Sequence, residues 1–107
     1  METRMGRWVG VGSEGGVAPG KARCVRLQDR KIALFNDGGI YRAYDDYCTH
    51  NGGPLTEGAC EDGLVTCLWH GAQFRVADGA PVTPPAGGRL RAHPLRVVAG
   101  AIEIELD

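Results

Sequence analysis

The chain carries the stretch CTHNGGPL at residues 48–55, the first motif, and the stretch CLWHG at residues 67–71, the second motif. Each motif places a histidine close behind a cysteine. Thiolate and imidazole are good ligands for soft and borderline metal ions, and short spacings let two ligands of one motif face one cavity. The neighbouring glycines let backbone N–H groups approach such a centre. The pattern predicts a metal site with four ligands, Cys48, His50, Cys67 and His70. Ligand type alone leaves zinc and iron–sulfur both open.

The two motifs resemble those of the Rieske iron–sulfur family, in which two cysteines bind one iron of a 2Fe–2S cluster and two histidines bind the other. The resemblance extends to Gly71 and Phe74, to Pro84-Pro85 and to the strand pattern at the C-terminus, so it covers about residues 8–106. It implies one Rieske-type 2Fe–2S cluster. In the family's pattern one iron is bound by Cys48 and Cys67, and the other by His50 and His70.

The fold implied by this resemblance is all-β, with a Rieske-like antiparallel β sandwich or barrel as a base and a small cluster-binding insertion. We expect residues 1–107 to form a single Rieske domain, with the cluster-binding subdomain at about 45–76 and the base at 1–44 and 77–107. The composition agrees, because 17 glycines and 6 prolines among 107 residues favour turns and short strands.

Strand patterns recur along the chain about every 8–12 residues, as in all-β sandwiches and barrels. The clearest is the alternation of Ile102, Ile104 and Leu106 with less apolar neighbours. A hairpin turn is predicted at Asn36-Asp37-Gly38-Gly39. The other expected strands cover residues 7–11, 23–27, 31–35, 40–44, 64–68 and 72–76, and residues 45–63 are expected to be irregular.

Departures from the respiratory-complex Rieske proteins narrow the resemblance. Those proteins carry an extra cysteine in each motif, joined as a disulfide, where this chain has Gly53 and Trp69. They also place Ser and Tyr hydroxyls near the cluster, where this chain has Ala72 and Phe74. Because each lost hydroxyl removes a hydrogen-bond donor to the reduced cluster, we expect a lower reduction potential. The chain is therefore most similar to the small Rieske ferredoxins of bacterial aromatic ring-hydroxylating dioxygenase systems.

This similarity implies a soluble one-electron carrier that is not itself an enzyme. It would take electrons from a flavin-dependent reductase and pass them to a terminal oxygenase of aromatic hydrocarbon catabolism. The net charge of -1 argues against nucleic acid or an anionic membrane as a partner. With neither a secretory signal nor a membrane span in the sequence, we expect a cytoplasmic protein. Two alternatives stay open: a small Rieske-like subunit of an assimilatory nitrite reductase, and a structural zinc module with the same four ligands.

The acidic side chains are concentrated around the two motifs. No Lys or Arg lies between Arg42 and Arg75, and that interval holds five acids: Asp45, Asp46, Glu57, Glu61 and Asp62. The alternatives are an ordinary solvated surface and an acidic face that steers the carrier to basic partners.

The remaining reactive and aromatic side chains are expected outside the site. We expect His93 at the surface, Cys24 as a small buried hydrophobe and Cys60 as a free thiol in a loop rather than a zinc ligand. Trp8 and Phe35 are expected in the core.

Overall fold

The computed structural model describes residues 7–13, 16–27, 30–47, 55–67, 72–83 and 88–106. Three of the four predicted ligands, Cys48, His50 and His70, lie outside the described residues. The same holds for Gly53, Trp69, Gly71 and Pro84-Pro85. Cys67 is the predicted ligand whose surroundings are described.

The described residues form antiparallel strands in three sheets, which confirms the all-β fold class. The first sheet has the order β1-β11-β10, with β1 at Arg7–Ser13, β10 at Leu95–Val98 and β11 at Ala101–Leu106. The second has the order β2-β3-β4-β9, with β2 at Ala22–Leu27, β3 at Arg30–Asp37, β4 at Ile40–Asp45 and β9 at Ala92–His93. The third has the order β5-β6-β7-β8, with β5 at Ala59–Glu61, β6 at Leu64–Thr66, β7 at Gln73–Arg75 and β8 at Pro81–Thr83.

A single 3-10 turn at Leu55–Glu57 is the helical element of the described ranges. None of the described residues belongs to a helix long and apolar enough to cross a membrane. The turn and β5 lie in the interval that the sequence predicted to be irregular, so that prediction was incomplete. A three-residue strand such as β5 is too short for an alternating pattern to reveal it.

The predicted hairpin joins β3 to β4. Asp37 pairs with Ile40, and the two residues between them, Gly38 and Gly39, have φ angles of 63° and 100°. Positive φ at both central positions is the requirement of a two-residue turn whose twist matches the strands, and glycine meets it without steric cost.

The strand β3 is buried on both faces, so its apolar residues follow one another directly instead of alternating with polar ones. Ile32 and Leu34 face a cluster shared with the first sheet, and Ala33 and Phe35 face a cluster shared with the third. The second sheet is therefore the middle layer of the molecule. The expected core position of Phe35 and the expected inward alternation of β11 are both confirmed.

Two expectations about single side chains were wrong because alternation gives the period of a strand and not the depth of each face. Trp8 is 36% exposed, and the Arg96 guanidinium lies 4.1 Å from the centre of its ring. Cys24 is exposed, although its strand neighbour Val25 packs against the core. Cys24 lies on the opposite face of β2, which is an edge strand of the second sheet.

His93 is buried, so its expected surface position was also wrong. Its Nε2 lies 2.7 Å from Asp45 Oδ1, and its side chain is 3% exposed. Alternation along the sequence would place His93 on one face with Arg89 and Arg91, which favours the surface, but the strand consists of Ala92–His93 alone. Alternation therefore does not extend back to the two arginines.

Candidate metal centre

Cys67 lies directly after β6 and is 1% exposed. It belongs to a buried cluster with Leu55, Val65, Ala72 and Phe74, among others. A thiolate in such apolar surroundings is costly unless a positive charge compensates it, and a bound metal ion supplies that charge. A buried thiol at this position can serve as a metal ligand, since a bound metal ion would compensate the charge of its thiolate.

The second motif lies across the hairpin formed by β6 and β7. The backbone N–H of Cys67 donates to the carbonyl oxygen of Ala72 at 2.7 Å, which closes the chain across residues 68–71. Next to this bond, Gln73 Nε2 donates to Thr66 Oγ1 at 3.1 Å. The hairpin thereby fixes both ends of the interval that contains His70.

The first motif is held at its two ends by Asp46 and Thr56. Asp46 is 7% exposed, and its two carboxylate oxygens accept hydrogen bonds from the backbone N–H and the hydroxyl of Thr56 at 2.9 and 2.7 Å. Leu55, the last residue of the motif, is fully buried in the cluster that contains Cys67. The described ends of the two motifs consequently meet in one core.

The chain before Pro84-Pro85 reaches the same place. β8 ends at Thr83, which pairs with Gln73, the first residue of β7. The chain therefore leaves β8 toward Pro84-Pro85 from a position beside Gln73, two residues after the second motif. Within the described ranges, no group of three or more His, Cys, Asp and Glu side chains could hold a metal ion.

Of the five acids around the two motifs, Asp46 is buried and adds nothing to an acidic surface. Asp46 bonds to Thr56, whereas Asp45, whose side chain is 33% exposed, has its Oδ1 2.7 Å from Nε2 of the buried His93. Glu61 and Asp62 are exposed. The side chain of Glu57 lies outside the described part of the chain.

The two other described cysteines have thiols that favour the protonated form. Burial raises the pKa of Cys60, with Asp37 adding to the shift, and Cys60 lies half-buried on β5 against the core rather than in a loop. Partial desolvation raises the pKa of Cys24, and a hydrogen bond to Asp46 raises it further. Both are free cysteines.

Sequence reasoning did not find the roles of Asp46, Thr56 and Tyr44. Tyr44 on β4 donates its hydroxyl to the carbonyl oxygen of Val76 at 2.6 Å, which ties the second sheet to the end of the third. Burial raises the pKa of this phenol. The placement of Asp46 and Thr56 on either side of the first motif was the available signal, but aspartate and threonine are also ordinary turn residues.

Comparison with known families finds one model that matches most of the chain. The Rieske [2Fe-2S] domain matches residues 7–94. The biphenyl dioxygenase ferredoxin subunit of Pseudomonas sp. strain KKS102 is 38% identical over 82 residues, which are 76% of this chain and 75% of that protein. The anthranilate 1,2-dioxygenase ferredoxin subunit of Burkholderia cepacia is 35% identical over 77 residues, 72% of this chain and 71% of that protein.

Solved structures show the same similarity in three dimensions. The ferredoxin of Sphingomonas yanoikuyae B1 superposes with a TM-score of 0.88 at 24% identity, covering 94% of this chain and 100% of that one. A chain of the complex between reduced oxygenase and oxidized ferredoxin in carbazole 1,9a-dioxygenase superposes with a TM-score of 0.86 at 28% identity, covering 92% of each chain.

Proposed function

The chain belongs to the Rieske [2Fe-2S] domain family, and from this premise we propose that it is the one-electron carrier between a flavin-dependent reductase and a terminal ring-hydroxylating oxygenase. The observation that carries the proposal is the similarity to dioxygenase ferredoxin subunits over about three quarters of their length. Those relatives transfer electrons within their systems and are not catalytic enzymes themselves. The solved complex of a carbazole dioxygenase pairs a ferredoxin with an oxygenase, which supports the same kind of partner here.

The cofactor is one Rieske-type 2Fe–2S cluster, which when bound accepts and releases a single electron. We propose Cys48 and Cys67 as the ligands of one iron and His50 and His70 as the ligands of the other. The described residues fit this donor set, because Cys67 is buried at the end of β6 and the ends of both motifs meet in its cluster. Ala72 and Phe74, both fully buried there, bring no side-chain hydroxyl, which supports the expected low potential.

We further propose that residues 45–76 act as the cluster-binding subdomain on a base made of 1–44 and 77–107. The third sheet supports this division, since three of its four strands lie within 59–75, and its core contains Leu55, the last residue of the first motif, and Cys67, the first residue of the second. A cytoplasmic location is part of the proposal, and the free thiols Cys24 and Cys60 fit a reducing compartment.

The deciding experiment is metal and sulfide analysis of the protein purified without air, together with its visible and electron paramagnetic resonance spectra. We expect two iron and two acid-labile sulfide per chain, and Cys67→Ala, which removes a proposed ligand, should abolish both. Cys60→Ala is the matched control and should keep the cluster, because Cys60 is not a proposed ligand. A colourless protein with one zinc per chain would overturn the assignment in favour of a structural zinc module.

The carrier role itself is tested by reconstitution. The cluster-loaded protein should support substrate oxidation when it is added to a flavin-dependent ferredoxin reductase and a terminal oxygenase of the aromatic class. Omission of the protein, or its replacement by the Cys67→Ala variant, should remove the activity. A loaded protein that is reduced by no such reductase and reduces no such oxygenase would contradict the role and leave the cofactor assignment in place.

A further inference from the structure

Asp46 and Thr56 form a closely bonded pair across the first motif. The Thr56 backbone N–H donates to Asp46 Oδ1 at 2.9 Å, and the Thr56 hydroxyl donates to Asp46 Oδ2 at 2.7 Å. One residue thus uses both oxygens of one carboxylate. Hydrogen bonds to an ionised acceptor are shorter and stronger than neutral ones, so this pair holds its geometry firmly.

Each member of the pair is anchored to a different part of the core. The Asp46 backbone N–H donates to the carbonyl oxygen of Lys31 at 2.9 Å, which fixes Asp46 to β3 of the second sheet. Thr56 follows Leu55, which is fully buried in the cluster of Cys67. The pair therefore links the middle sheet to the core around Cys67.

The position of the pair along the chain gives it a consequence for the site. Residues 47–55 lie between its two members and include the proposed ligands Cys48 and His50. Burying a carboxylate is costly unless hydrogen bonds satisfy it, and here the bonds come mainly from Thr56. Apolar packing of the two chain segments would not need a buried carboxylate. The carboxylate is instead used to join the two ends of the segment that carries the ligands.

We propose that Asp46 and Thr56 are positioning residues, which hold the ends of the first motif so that Cys48 and His50 are presented together to the cluster. The inference rests on the proposed function, because the ligands it concerns belong to that function. The second motif differs, since the bond that closes it runs between backbone groups of Cys67 and Ala72. Side-chain substitutions can therefore loosen the first motif selectively.

The test compares four variants of the cluster-loaded protein. Asp46→Asn keeps the size of the side chain but replaces one acceptor oxygen by an amide that cannot accept from Thr56. Thr56→Val removes the hydroxyl and keeps the shape, while Thr56→Ser restores the hydroxyl. Glu103→Gln removes a carboxylate from the exposed pair with Arg96 on the first sheet, where Arg96 Nε lies 2.7 Å from Glu103 Oε1, and serves as the control.

The primary measurement is the rate of iron loss to a ferrous chelator, with the paramagnetic resonance g-values and the reduction potential of each variant beside it. We expect iron loss about tenfold faster for Asp46→Asn, which loses the charge-assisted hydrogen bonds, and about threefold faster for Thr56→Val, which loses only the bond from the hydroxyl. The g-values of both variants should shift, whereas Thr56→Ser and Glu103→Gln should match the wild type.

The possible outcomes distinguish failure of the positioning role from failure of the proposed function. Suppose that the wild type holds its cluster. If Asp46→Asn and Thr56→Val then show unchanged iron loss, g-values and reduction potential, the positioning role is overturned. A lower unfolding midpoint with unchanged g-values and potential would also overturn it, because that result describes a merely structural contact. A wild-type protein without iron and sulfide would instead refute the proposed function.

Discussion

At the scale of single residues, Gly58 leaves no room for a side chain. It lies between the 3-10 turn and β5, and a Cβ built there would overlap the carbonyl oxygen of Thr66 on the neighbouring strand. The contact is with backbone, which cannot move aside without displacing β6 and, with it, Cys67. The glycine is required by close approach of two chain segments rather than by a positive φ.

We therefore expect Gly58→Ala to lower the free energy of unfolding by about 2 kcal/mol or more, as overpacking in a well-filled region does. Gly10→Ala is the matched control, since a Cβ at Gly10 meets nothing within 4 Å, and its effect should stay within about 0.5 kcal/mol. Urea unfolding followed by far-ultraviolet circular dichroism measures both. Equal urea midpoints for the two variants would show that the third sheet can shift to accommodate a side chain at Gly58.

The residue scale also shows where sequence reasoning stops. The ligand set could be proposed from spacing alone, because cysteine and histidine at short intervals are chemically distinctive. The partner of His93 could not, since Asp45 and His93 are 48 positions apart and meet only once β4 and β9 pair. Aspartate occurs in turns, ion pairs and exposed surfaces alike, so its type does not indicate which of these it joins.

At the scale of elements, the strands with the strongest patterns could be predicted and the short ones could not. The strand at β3 and the alternation of β11 are both confirmed, because each pattern belongs to a strand of six or more residues. The exposure of Trp8 and Cys24 escaped prediction, since a strand's period does not say which face another sheet will cover. Their depth depends on strand order, which local sequence does not encode.

The turn between β7 and β8 is organised by Asp78. Its Oδ1 accepts from the Ala80 backbone N–H at 3.0 Å, and Arg75 donates from Nε and Nη2 to the two carboxylate oxygens, each at 3.1 Å. The Arg75 guanidinium, followed by the Ala80 N–H, holds the pKa of Asp78 below its ordinary value of 3.8. Arg89 Nη1 also donates to the Asp78 carbonyl oxygen at 3.0 Å.

A lowered pKa in the folded state means that the unfolded chain takes up the proton first as the pH falls. The contribution of Asp78 is therefore fully present above pH 3.8 and is lost as the pH falls through the lowered folded value. We expect wild type to resist urea better than Asp78→Asn at neutral pH, with the difference shrinking as the pH falls from about 5 to 3.

Arg75→Gln supplies the control for this turn, because it removes the donors while leaving Asp78 in place. The double variant should be little worse than either single variant, as expected for two residues that act through one interaction. A difference between wild type and Asp78→Asn that stays constant from about pH 5 to 3 would show that the carboxylate charge does not stabilise the turn.

At the scale of the whole molecule, the second sheet is the layer to which both others are fixed. It shares one cluster with the first sheet through Ile32 and Leu34, and another with the third through Ala33 and Phe35. Polar contacts reinforce the second junction at Asp46–Thr56 and at Tyr44–Val76. The site therefore depends on how firmly the third sheet is held to the middle layer.

The Tyr44 hydroxyl tests this dependence, because it is the donor to a buried backbone carbonyl across the junction, at 2.6 Å from Val76 O. Tyr44→Phe keeps the ring and its edge-to-face contact with Phe35 but leaves that carbonyl without the phenol. We expect a loss of about 1–2 kcal/mol in unfolding free energy, the cost of an unmet buried acceptor. Tyr47→Phe is the control, since Tyr47 is 56% exposed and its change should be small. The measurement is the urea midpoint of each variant with the cluster in place. If Tyr44→Phe and Tyr47→Phe unfold at the same urea concentration, apolar packing alone holds the junction and the Tyr44 hydroxyl is dispensable.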